Sequence, residues 1–153
     1  MSAMIDVVGS DRMVVGIGSP QGGDQIGWLI AADLERRRLP GWRVRSARVP
    51  TDLLDWFEHC ERLHLIDACQ FSIPAGQFMR LEWPDPRIQQ IRARTSHDLD
   101  LPQVLQLAER LGQLPHQVVL WAIEIKGESL SDSLSNRVAG IAAAIEDDIR
   151  QHA

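Results

Sequence analysis

The stretch Met13 to Gly18, M-V-V-G-I-G, is apolar without interruption and ends in glycine. A strand with one wet face alternates polar and apolar residues, so a run with no polar position belongs in a parallel sheet covered on both faces. Parallel neighbours cannot be joined by a tight hairpin and need crossover segments, usually helices. The following residues supply one: Ile26, Leu29, Ile30 and Leu34 recur at helical spacing. The charged stretch Glu35 to Arg38 then precedes Pro40-Gly41, and its basic residues complement the negative end of the helix dipole.

The same alternation continues along the chain. Trp42 to Val49 alternates apolar or small with polar residues, the mark of a half-buried strand, and Pro50 closes it. Thr51 is placed to cap a short helix over Asp52 to His59. Leu63 to Ala68 is a third strand with Asp67 near its carboxyl end. Gln77 to Trp83 reads as an antiparallel edge strand, and the short link through Pro74 and Gly76 permits a hairpin with the third strand. Leu101, Val104, Leu105, Ala108 and Leu111 line a helix with Asp100 as N-cap, Pro102 in its first turn and Gly112 after its end. Val118 to Ile125 is the last strand, and Leu134, Val138, Ile141, Ala142, Ile145 and Ile149 form the stripe of a terminal helix. These elements imply one domain over residues 1–153, an α/β/α sandwich whose ligands bind outside the carboxyl ends of the strands.

Sixteen basic residues against twenty-one acidic give a net charge of −5. That balance disfavours non-specific binding to nucleic acid or anionic membrane, both of which need a cationic surface. The opening M-S-A-M-I-D-V-V-G-S has no basic n-region, long apolar core or cleavage site, so a cytoplasmic protein is expected. Cys60 and Cys69 form no C-x-x-C pair and fit a reducing compartment.

Three polar residues fall where the loops of such a sheet deliver chemistry: Asp24 in the glycine-rich loop from Gly18 to Gly27, Asp67 at the end of the third strand, and His97 in T-S-H-D-L. Two carboxylates and an imidazole suit nickel, zinc, iron or manganese, and three protein ligands leave positions open for water or substrate. Each residue has a plainer reading. Asp24 suits a helix N-cap, Asp67 an arginine partner, and His97 an ordinary loop position. His59, His64, His116 and His152 have no comparable setting and are read as structural.

Other chemistries fit less well. The glycine-rich loop has Gln21 where a dinucleotide fingerprint needs its third glycine, lacks the Lys-Ser/Thr of a P-loop, and carries an acidic residue that repels phosphate. A Cys69–His97 dyad would need a lowered thiol pKa and an oxyanion hole, neither visible in the sequence. No serine sits in a G-x-S-x-G elbow. Trp28, just after the Asp24 loop, is placed to border a partner surface.

Taken in order, V-V-G-I-G-S-P and G-D-Q-I-G-W within Val14 to Trp28, L-I-D-A at Leu65 to Ala68, T-S-H-D-L-D-L at Thr95 to Leu101 and W-A-I-E-I around Glu124 resemble the hydrogenase maturation proteases. These endopeptidases trim the C-terminal extension of [NiFe]-hydrogenase large subunits. The resemblance implies a mostly parallel five-stranded sheet in an α/β/α fold. It also implies metal contact by Asp24, counted back from Gly27, by Asp67 and by His97. The loop here has a single carboxylate where the family commonly has two adjacent ones.

On this resemblance the partner is a [NiFe]-hydrogenase large-subunit precursor. The nickel is carried by that substrate, with no permanently bound cofactor, and the family's reaction removes the tail once nickel is in place. The same three residues are then the expected catalytic set. A non-catalytic module that binds metal or a partner through the same rim is the competing reading.

Overall fold

The computed structural model describes residues 11–19, 25–69, 77–91, 99–124 and 132–152. Its strands are β1 (Arg12–Ile17), β2 (Arg43–Ala47), β3 (Arg62–Cys69), β4 (Phe78–Glu82) and β5 (Gln117–Glu124). The α-helices are α1 (Ile26–Arg37), α2 (Leu101–Arg110) and α3 (Asp132–Gln151), with 3-10 turns at Pro50–Asp55 and Ile88–Gln90. The five strands form one sheet in the order β2-β1-β3-β5-β4. All neighbours are parallel except β4 and β5.

β1 and β5 lie inside this sheet, and their apolar runs are buried almost throughout. Alternation divides each strand between two cores. Met13, Val15, Leu63, Leu65, Leu120 and Ala122 face α2 and the Pro50–Asp55 turn. Val14, Ile66, Val119 and Ile123 face the apolar stripes of α1 and α3. The expected α/β/α layers and mostly parallel five-stranded sheet are therefore present.

Two local expectations differ from the structure. β4 is the antiparallel edge strand, but it forms no hairpin with β3: β1 and β5 already occupy both edges of β3, so β4 pairs beyond β5. The segment read as a helix over Asp52 to His59 is instead the 3-10 turn Pro50–Asp55, and Thr51 lies inside it rather than at its cap. The capping carboxylate is Asp52, whose Oδ2 accepts from the backbone N–H groups of Arg48 and Val49 at 3.0 and 3.4 Å. Asp100 caps α2 as expected: its side chain accepts from Gln103 N–H, while Gln103 Oε1 accepts from Asp100 N–H at 2.9 Å.

Candidate functional site

The strand order reverses between β1 and β3, because the connection after β1 leads outward to β2 while β3 lies on the other side. Segments leaving two such strands diverge and open a crevice at their carboxyl ends. Asp67 stands there, half-buried and two residues before the end of β3. Alternation along the strand puts it on the same face as Leu63 and Leu65, the face covered by α2.

Two glycines bring α1 down onto this crevice. A Cβ on Gly27 would lie 2.2 Å from the carbonyl oxygen of Ile17 and 3.0 Å from that of Ile66, the residue before Asp67. A Cβ on Gly16 would lie 2.2 Å from the Gly27 carbonyl oxygen. Bare backbone at both positions lets the first turn of α1 sit against the ends of β1 and β3. The Ala47 carbonyl then pins both sides of the loop, accepting from Gly18 N–H at 3.0 Å and from Trp28 Nε1 at 2.9 Å. Trp28, half-buried in the first turn of α1, is thereby tied to the end of β2.

Asp24 and His97 lie outside the described residues. Their described neighbours can be placed. Gln25 occupies the N-cap position of α1, and its side chain makes no capping bond. α2 ends shortly before β5 begins, so its start, preceded by Leu99 and Asp100, is directed toward the carboxyl end of the sheet.

The electrostatics of Asp67 differ from those of a structural carboxylate. Burial pushes its pKa up to about 7, opposed only by a hydrogen bond from the Ala68 backbone. Among the described residues no arginine pairs with it, so the plainer reading of an internal ion pair finds no support there. Among the described residues, too, no three metal-ligating side chains form a cluster.

Glu124 is not among the site residues to which sequence reasoning leads, although it repeats the pattern that marks Asp67: one acid ending an otherwise apolar strand. It is fully buried at the end of β5, in register with Cys69 on β3. Burial raises the Cys69 thiol well above its ordinary range, and the charges of Asp67 and Glu124 raise it further. A Cys69 nucleophile needs the opposite shift, so the Cys–His alternative loses its chemical basis. His64 is structural as expected, buried in β3 and accepting at Nδ1 from Trp121 Nε1 at 3.0 Å. Among the described residues no helix is long and apolar enough to cross a membrane.

A family model described as "HycI: Hydrogenase maturation protease" matches residues 48–151. No curated protein matches the chain. Among solved structures, the hydrogenase maturating endopeptidase HybD from E. coli superimposes with a TM-score of 0.69 at 22% identity, covering 92% of this chain and 93% of that one. The [NiFe] hydrogenase maturation protease HycI from Thermococcus kodakarensis KOD1 gives 0.67 at 22% identity, covering 95% and 97%. At such identities the superpositions establish the shared fold.

Proposed function

Because the chain belongs to the hydrogenase maturation protease family, and so is a peptidase, we propose that it removes the C-terminal extension of a [NiFe]-hydrogenase large-subunit precursor after nickel insertion, in the cytoplasm. Asp24, Asp67 and His97 contact the nickel that the substrate carries. The observation that carries this reading is Asp67: a carboxyl group at the crevice between β1 and β3, unmatched by any described arginine. Even a half-buried carboxylate with no described countercharge is costly to ionise, and an incoming cation relieves that cost.

Nickel then acts as a test of substrate readiness. The precursor's thiolates hold the ion, and carboxylate and imidazole ligands fill its open positions, so binding energy is available only when the centre is loaded. Docking the ion positions the neighbouring peptide bond in the crevice. With the Cys69 thiol held protonated by its surroundings, attack on the scissile carbonyl falls to water.

Intact-mass spectrometry of a cognate precursor, incubated with the protein with and without nickel, tests this reading. Loss of the tail from the nickel-loaded form alone supports it. A nickel-loaded precursor that stays at full mass overturns it, and nickel binding by the protein alone with no cleavage would favour the binding module.

A further inference from the structure

Arg36, Arg37, Arg80, Arg87 and Arg150 each meet a carboxylate of this chain within 3.6 Å. Arg38, Arg43, Arg45 and Arg48, gathered along β2 and its flanks, form no ion pair among the described residues. The Nε atoms of Arg43 and Arg45 are buried without a hydrogen-bond partner, and the Arg45 guanidinium lies 5.0 Å from the centre of the Trp56 ring. In a chain of net charge −5, this is a concentrated positive edge.

That edge is also open among the described residues. There β2 pairs only with β1, so alternate residues of its other side present backbone N–H and C=O groups outward. A groove runs beside it, floored by Leu39, Trp42 and Val44 and flanked by Arg38, Arg43 and Arg45, with Glu35 as the acidic residue of its lining. It lies toward the start of β2, away from the carboxyl end where Asp67 stands. We propose that the open edge of β2 docks an extended acidic segment of a partner polypeptide, which adds to the sheet as a further strand.

Charge on an edge strand commonly serves only to prevent edge-to-edge aggregation. Here the same charge chooses the occupant. A second copy of β2 would set arginines against arginines, whereas an acidic strand sets carboxylates against guanidinium groups that no described carboxylate pairs with. Backbone bonds supply affinity, and the apolar floor receives the small side chains that alternate with the acids.

The test is amide NMR of the full chain titrated with a blocked peptide alternating glutamate and valine, and with its counterpart in which lysine replaces glutamate. Saturable shifts centred on Arg43 to Ala47 with the glutamate peptide alone are expected, weakened about fivefold or more by high salt. The Arg43→Glu/Arg45→Glu variant should reverse the preference. If that variant does not fold, the two peptides on the wild-type chain still decide. No saturable shift, shifts centred elsewhere, equal binding of the lysine peptide, or self-association through β2 would each overturn the proposal. The readout is binding alone, so it stands or falls apart from tail cleavage.

Discussion

Gly16 and Gly27 meet through backbone: a Cβ on Gly16 would lie 2.2 Å from the Gly27 carbonyl oxygen, and one on Gly27 would lie 2.2 Å from the Ile17 carbonyl oxygen. These contacts fix how closely α1 approaches β1, and backbone oxygen cannot swing aside as a flexible side chain could. Gly27→Ala should therefore cost about 3 kcal/mol or more, at the upper end for overpacking. Gly140, exposed within α3, is the control, because a Cβ there would meet nothing within 4 Å. Gly140→Ala should gain about 0.5–1 kcal/mol. Chemical denaturation of both variants checks the contrast, and equal effects would contradict it.

Asp67 should trade stability for function. An acid whose folded pKa is raised from 3.8 to about 7 disfavours its own ionised form, so it destabilises the fold increasingly as pH rises across that interval. Asp67→Asn removes the charge and should stabilise the metal-free protein by about 1–2 kcal/mol at pH 8, less than the full shift because the side chain keeps some hydration. Thermal melts at pH 8 decide: a carboxylate held by an internal ion pair would lose stability on the same change.

His64 contributes to the pH profile of stability with the sign opposite to that of Asp67. Burial lowers its pKa from 6.5 to about 4, aided by Arg80 on β4, Arg62 on its own strand and His152 beyond α3, and opposed by Asp148 on α3. Because the folded state disfavours protonation, this contribution is complete above about pH 6.5 and is lost as pH falls toward 4, about 3 kcal/mol in all. Protonation at Nδ1 would also displace the Trp121 indole N–H. Asp67 contributes with the opposite sign over the same interval, so the readout is the difference between the two chains. The stability of His64→Phe relative to the wild type should rise by about 3 kcal/mol as pH falls from 6.5 to 4 in denaturant titrations, and a pH-independent difference would remove His64 as its source.

The layers of the fold are legible in the sequence because each rests on local pattern. β1 and β5 show their double burial as unbroken apolar runs, and α2 shows its start in Asp100. The neighbour of β4 is not legible, since a period of two fixes a face but not a partner. The cap at Asp52 is hidden by Thr51 beside it, an equally good capping residue one position early. At the site, Asp67 stands out as an acid ending an apolar strand. Glu124 carries the same signal, but its burial beside Cys69 depends on register between strands far apart in sequence. The glycines of the first loop suggest phosphate binding until their spacing is compared with the nucleotide-binding patterns, whereas Gly16 and Gly27 act by letting backbones meet.

The central claim is that two carboxylates and one imidazole act together on a single substrate-borne ion. Single-turnover cleavage of a nickel-loaded precursor by Asp24→Asn, Asp67→Asn and His97→Ala tests it most directly. Each variant should fold and cut at least about 100-fold more slowly than the wild type, the scale expected when one member of a cooperating site is lost. Wild-type rates from all three would contradict the account.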